Sequence, residues 1–320
     1  MKLVRFTVGD GPARLGVMLE GFVIDLNRGY AALLKEKGGA ASGAEASALA
    51  ESMEGLLAMG KRGDEAARRV VEYSKERESS LRGSVVFPSE ESRLLAPLGR
   101  PSKIIGLALN YVSHVREERK DAPLPQRPFL FSKSSGTGII GPSEDIVVPD
   151  TVQKLDYEVE LGVVVGKRGR YIPKERAYEH VAGYTVFNDI CDRFYLLDVK
   201  PGQPDWLGMK AQDSFSVFGP CIETDVGDPH DLRMTLKVNG EIRQDGRTSD
   251  MIFKTPDLIK TISHLVTLEP GDIIATGTCA GNAMTWGGKW LKEGDIIEAE
   301  IERIGVLKNR VRFEKPEYRC

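Results

Sequence analysis

Over the first hundred positions, short strand signals, KLVRFTV, RLGVML and FVIDL, alternate with helical ones. Two later stretches, ASALAESMEGLLAM (46–59) and DEAARRVVEYSKERES (64–79), repeat apolar residues at helical spacing and predict helices. The Pro-, Ser- and Gly-rich segment SLRGSVVFPSEESRLLAPLGRPSK holds one short strand and reads as a connection. From Lys103 onward the pattern becomes strands punctuated by Gly and Pro: KIIGLAL, PFLFSK, DIVVP, YEVELGVVVG, HVAGYTVFND, TLKVNGEIR, DIIATGT and DIIEAEIERIGVLKNRV. TPDLIKTISHLVT is the clearest helix there, with Thr255 as its cap and Pro256 in its first turn. VNGE predicts an Asn-Gly hairpin turn. The expected fold class is α+β, mainly β: a small α+β N-terminal domain with its linker over 1–98, then a β-rich domain over 99–320.

One strand departs from the rule that a buried element is apolar. In KLDYEVELGVVVGKR, period two places Asp156, Glu158 and Glu160 on one side, and the chain runs on into the all-apolar VVV. A half-exposed strand carries such acids to water at little cost. Val163, Val164 and Val165 instead read as a strand buried on both faces, where a carboxylate needs a partner, most simply a cation.

Composition narrows the function classes. The chain has 320 residues, of which 41% are hydrophobic and 28% charged, with a formal net charge of −3. No long basic block is present, so nucleic acid and anionic membrane surfaces are not expected partners. The start, MKLVRFTVGDGPARLGVML, has no apolar signal core, and no run approaches membrane-span length. A cytoplasmic location is the expectation. Cys191, Cys221, Cys279 and Cys320 form no CxxC pair, which fits free thiols.

Three clusters could carry chemistry. In LNYVSHVREE, His114 and Glu117 are three apart, a spacing that shares a helix face and lets a carboxylate orient an imidazole. Glu158 and Glu160 form the second cluster. Asp189, in FNDICDRFY, stands at the end of a predicted strand and forms the third. Carboxylates without a suitably spaced Cys or His describe a hard, oxygen-rich site suited to Mg2+, Mn2+ or Ca2+ rather than zinc.

Taken in order, GLALNYVSHVREE, PFLFSKSSGTGIIGP, DYEVELGVVVG, GYTVFNDICDR, GMKAQDSFSVFGP, VNGE and LEPGDIIATGT resemble the fumarylacetoacetate hydrolase family over roughly residues 100 to 305. The resemblance implies a mixed β-sandwich roll, often preceded by a small N-terminal domain, and a homodimer. It implies Mg2+ or Mn2+ on Glu158, Glu160 and Asp189, and catalytic roles for His114, Glu117 and Lys210. It further implies substrate contacts from Asn110, Tyr111, Arg193 and Thr278. Asn110 lies in the neighbourhood where the founding hydrolase has a fourth carboxylate ligand, as in the smaller acylpyruvase-like members. Leu196 stands where the family often has Gln, and Cys279 where it usually has Pro.

The activity so implied is metal-dependent hydrolysis of a C–C bond in acylpyruvate-like or other 1,3-dioxo or 2-oxo acids. A divalent ion that chelates two substrate oxygens stabilises an enolate, and a base activates water. A 2-oxo acid decarboxylase, dehydratase or tautomerase would use the same site, and a non-catalytic metabolite-binding protein could keep the scaffold. No GxGxxG follows a strand and opens a helix, so a nicotinamide enzyme is not expected.

Overall fold

The computed structural model describes residues 1–36, 49–199 and 203–315. The first positions of the predicted 46–59 helix, 46–48, and Cys320 lie outside the described residues. The chain opens with an antiparallel meander of β1 (Lys2–Val8), β2 (Arg14–Leu19) and β3 (Phe22–Asp25). Helices α1 (Leu26–Glu36), α2 (Met53–Ala58) and α3 (Lys61–Glu76) follow. The hydroxyl of Ser52 accepts the Gly55 amide at 3.0 Å and caps α2. Such a cap is worth about 1 kcal/mol, and it starts the helix at Met53, inside the predicted span.

The connecting segment holds two strands where one was expected: β4 (Val86–Pro88) pairs β3, and β5 (Ser92–Leu95) pairs β1. Next come β6 (Ile104–Ala108), α4 (Val112–Glu118), β7 (Phe129–Lys133), β8 (Ile139–Ile140) and β9 (Asp145–Val148). The predicted acidic strand is interrupted at Tyr157 and Glu158, giving β10 (Leu155–Asp156) and β11 (Val159–Val165). After β12 (Val181–Asp189), β13 (Cys191–Asp192) pairs β10, and the short helix α5 (Trp206–Lys210) leads to β14 (Ser216–Glu223). The chain closes with β15 (Arg233–Val238), β16 (Glu241–Arg247), α6 (Thr255–Leu265), β17 (Ile273–Thr278), β18 (Ile296–Ile301) and β19 (Gly305–Phe313).

Among the described residues, 12 strands form one sheet with the path β4-β3-β2-β1-β14-β12-β11-β17-β6-β7. A second sheet of 5 strands runs β16-β15-β18-β19-β9. Strands β15 and β16 turn through Asn239 and Gly240, at φ 51° and 82°, the left-handed pair that an Asn-Gly hairpin requires. Thr255 does not cap its helix. It is the first helical residue, and Lys254 occupies the cap position without a side-chain bond.

The two cores explain the VVV run. Leu161 and Val163 of β11 join Leu236, Ile297 and Leu307 in the core shared with the smaller sheet. Val164 points the other way and joins Phe187, Phe218, Leu26, Met53 and Val70, under the N-terminal helices. Every residue of β11 is therefore buried. Because β1 pairs β14, the N-terminal strands extend the sheet that carries β11 and β12.

Candidate active site

Central strands of the large sheet end together, and their ends set the site. Glu160 lies in β11 opposite Thr278 of β17, and Asp189 ends β12. Just ahead of β11, the Glu158 amide donates to Asn188 Oδ1 at 3.1 Å, and its carbonyl accepts the Asp189 amide at 2.8 Å. These bonds draw Glu158, Glu160 and Asp189 together: all three are buried, with ligand oxygens within 4.8 Å of one another. The pleat explains two of the acids on the motif's one face. Asp156 is used otherwise, accepting Arg193 Nε at 2.9 Å and the Ala283 amide at 2.6 Å.

Cations surround the acids. Lys210 Nζ donates to Glu158 Oε2 at 2.5 Å and to Asp189 Oδ2 at 2.7 Å. Lys133 Nζ donates to Asp189 Oδ1 at 2.5 Å and to the Ile190 carbonyl at 2.9 Å. Arg193 Nη2 bonds Glu158 Oε1, while Nη1 makes no hydrogen bond among the described residues. Burial would raise the Glu158 carboxyl, but the charges of Lys210 and Arg193 outweigh it and hold the group well below the usual carboxylate range. Burial also opposes the Lys210 charge, yet Asp189 and Glu158 hold that ammonium above its ordinary value. For Lys133, burial wins and lowers its affinity for the proton.

Glu160 is the exception. Its Oε2 accepts the Gly277 amide at 2.7 Å, whereas its Oε1 is buried without a hydrogen-bond partner among the described residues. Burial, with Asp189 and Glu158 beside it, pushes its carboxyl well above the usual range. An orphaned carboxylate oxygen beside two more carboxylates is the environment a divalent cation satisfies, and an all-oxygen donor set suits Mg2+ or Mn2+. The residues present fit such an ion.

A cavity of about 340 Å3 opens over this centre, with Glu158, Glu160, Arg193 and Lys210 in its wall. Its apolar side includes Phe131 and Trp206, stacked at 5.0 Å between ring centroids, with Lys210 Nζ 5.3 Å from the Phe131 ring. Leu196 also lines it, presenting an aliphatic group where the family often has an amide. A wider cleft of about 810 Å3 beside α2 and α3 contains none of the acidic triad, so its size does not make it the chemical centre.

Some expected roles do not match the geometry. His114 lies on α4 and lines the cavity, but its Nε2 faces Glu118 Oε1 at 3.4 Å rather than Glu117. Glu117 turns away and accepts the Gly281 amide at 2.9 Å. Positions three and four ahead flank the same helical face, so spacing alone does not choose between them. Asn110 and Tyr111, expected to touch substrate, are outside the cavity wall. Asn110 Nδ2 donates to the Thr276 carbonyl at 2.7 Å and its Oδ1 accepts the Phe253 amide at 2.9 Å. Tyr111 is fully buried, its hydroxyl 3.3 Å from Met234 Sδ. Thr278 does line the cavity, but its hydroxyl proton goes to the Val159 carbonyl at 2.8 Å.

The motif pattern did not single out Lys133, Asp156, Glu118 or Gln244 as members of the site. A lysine in the apolar PFLFSK strand and a third acid at period two were the available signals for the first two. Cys191, Cys221 and Cys279 are free thiols; all three are also buried, and burial pushes each thiol up to about 12. No helix among the described residues is long and apolar enough to cross a membrane.

The chain is similar to several known proteins. Oxaloacetate tautomerase FAHD2A, mitochondrial, of Bos taurus is 43% identical over 229 residues, 71% of each chain. Oxaloacetate tautomerase fahd2, mitochondrial, of Xenopus laevis is 34% identical over 317 residues, covering 97% of this chain and 90% of its own. The structure of maleylpyruvate hydrolase from Sphingobium sp. SYK-6, in complex with manganese(II) and pyruvate, superposes with a TM-score of 0.72 at 29% identity, covering 98% of this chain and 100% of that one. The family model for the fumarylacetoacetate hydrolase C-terminal region matches residues 103–312, which hold every strand end and side chain of the centre described above. The chain therefore belongs to the fumarylacetoacetate hydrolase family.

Proposed function

We propose that this protein is a divalent-metal-dependent enzyme that moves a proton at the carbon beside the carbonyl of a short 2-oxo acid, with keto–enol tautomerisation of an oxaloacetate-type diacid as its reaction. The observation that carries this reading is a single cavity holding His114 and Glu118 together with Glu158 and Glu160 of the triad. The names of the more similar relatives support the choice of reaction. Glu158, Glu160 and Asp189 would hold Mg2+ or Mn2+, which supplies Lewis-acid polarisation of the substrate carbonyl. Arg193 offers its Nη1, which bonds no other group among the described residues, to the substrate carboxylate, and Asp156 fixes the guanidinium plane. Lys210 keeps its charge and offsets negative charge that develops on oxygen. His114, backed by Glu118, takes the proton from carbon when the enol forms and delivers it to carbon when the keto acid forms, while the enol oxygen gains or loses its own proton by exchange with solvent. Phe131 and Trp206 keep water from that side of the cavity.

A second reading, C–C hydrolysis of an acylpyruvate, is favoured by the maleylpyruvate hydrolase match over almost the whole chain. In it His114 deprotonates water instead. The same proposal takes residues 99–320 as the catalytic unit, a homodimer as the assembly and the cytoplasm as the location. Light scattering at two concentrations tests the dimer, and a concentration-independent monomer mass would count against it.

The deciding measurement follows decay of enol-oxaloacetate absorbance with protein plus Mg2+ or Mn2+, against metal alone and against chelated protein. Acceleration beyond metal alone, lost on chelation, is expected. No acceleration, with pyruvate released from an acylpyruvate, would move the assignment to the hydrolase.

A further inference from the structure

Val159 separates the two glutamates of the acidic motif, so its backbone sets their bite. Its side chain is fully buried in the core, on the opposite side of the pleat from Glu160. At this point the β11–β17 ladder shifts register, between Glu160 and Gly162. Two side chains take over the peptide groups of Val159. Its N–H donates to Gln244 Oε1 at 2.9 Å, and its carbonyl accepts the Thr278 hydroxyl at 2.8 Å. Gln244 Nε2 then donates to Thr278 Oγ1 at 2.8 Å and to the Cys279 carbonyl at 2.9 Å. The amide orientation is forced, because Val159 N–H can only donate and the Cys279 carbonyl can only accept. Gln244 is fully buried and stands on β16, in the smaller sheet, so this ring of bonds ties that sheet to the floor of the site.

We infer that Gln244 is a positioning residue for the metal centre: with Thr278 it clamps the Val159 peptide and thereby holds Glu158 and Glu160 at the separation that a divalent cation needs. The inference rests on reading Glu158, Glu160 and Asp189 as the metal ligands. Gln244 touches neither ion nor substrate. It acts through the backbone between two ligands, as residues that hydrogen-bond ligand groups do elsewhere, where their loss costs about 10- to 100-fold in metal affinity.

The test is the Mn2+ dissociation constant, measured by calorimetry on folded protein without substrate. Wild type and Glu160→Gln come first, and tight binding lost in the latter validates the ligand set independently. Gln244→Met keeps the length of the side chain and removes its hydrogen bonds. It is expected to weaken Mn2+ binding about 10- to 100-fold at a temperature where circular dichroism shows a folded protein. A merely structural Gln244 would lower the melting temperature and leave the Mn2+ affinity of folded protein unchanged, and that result overturns the inference. If Gln244→Met does not fold, Thr278→Val and Thr278→Ser decide. Weakened binding in the first with wild-type binding in the second supports the clamp, and equal affinities in both overturn it. Absence of Mn2+ binding by wild type overturns the ligand reading and the clamp together.

Discussion

A single helical position separates two carboxylates with different duties. Glu118 faces His114 in the cavity, and Glu117 holds the Gly281 amide outside it. Glu118→Gln is therefore expected to lower kcat by about 10-fold or more with little change in KM, and Glu117→Gln to leave kcat nearly intact. His114→Ala should cost the roughly 10²- to 10⁴-fold that a positioned acid–base group contributes, with Mn2+ affinity unchanged. Steady-state kinetics on the three variants, each with metal content checked, tests this pairing. The same kcat loss in both glutamate variants would return Glu117 to the mechanism. The metal reading has its own outcome: chelation should abolish turnover, and Mg2+ or Mn2+ should restore it. Full activity of metal-stripped protein would sink it.

At the scale of the element, a buried carboxyl where β3 meets α1 makes stability depend on pH. Asp25 ends β3, accepts the Arg28 amide at 3.0 Å and so caps α1. Burial raises its carboxyl above the ordinary 3.8, although the Arg28 amide and the charges of Arg14 and Arg28 pull the other way. A carboxyl with a raised folded-state pKa binds its proton more tightly when folded. Its contribution to stability is present below 3.8 and is lost as pH rises through the folded-state value. Asp25→Asn keeps the capping oxygen without the charge. It should match wild type in acid below 3.8 and melt higher than wild type near neutral pH. Melting curves at the two pH values check this, and a variant that melts lower at neutral pH would show that the Arg14 and Arg28 pairs outweigh burial.

Across the whole molecule, the N-terminal helices cover one face of the sheet whose other face packs on the smaller sheet. Leu26, Met53, Leu56 and Val70 share a core with Val164, Phe187 and Phe218. Residues 99–320 expressed alone would expose those three side chains, each of which loses about 1.5 to 3 kcal/mol when returned to water. The fragment should melt well below the full chain and bind a hydrophobic dye, both measurable by fluorescence. A fragment as stable as the full chain would make the N-terminal cover dispensable.

Much of this was legible in the chain itself. Short apolar runs punctuated by Gly and Pro gave most strands, Asn239-Gly240 gave the hairpin, and the VVV run gave a strand buried on both faces. Acids at period two beside that run pointed to a cation, and Glu158, Glu160 and Asp189 do converge. Those are local properties, because side-chain direction along a strand follows from the backbone repeat alone. Four outcomes were settled only by tertiary packing: the Glu118 partner of His114, the committed amide of Asn110, the buried Tyr111 and the hydrogen bond of Gln244 to Val159. Each depends on which backbone group or side chain arrives from a distant segment. Gln244 meets Val159 across 85 positions, and Asn110 meets Thr276 across 166. Hydrogen bonding is short-ranged and directional, so a polar residue's role is decided by the neighbour that reaches it. Hydrophobic burial is non-directional, so its pattern survives in the sequence.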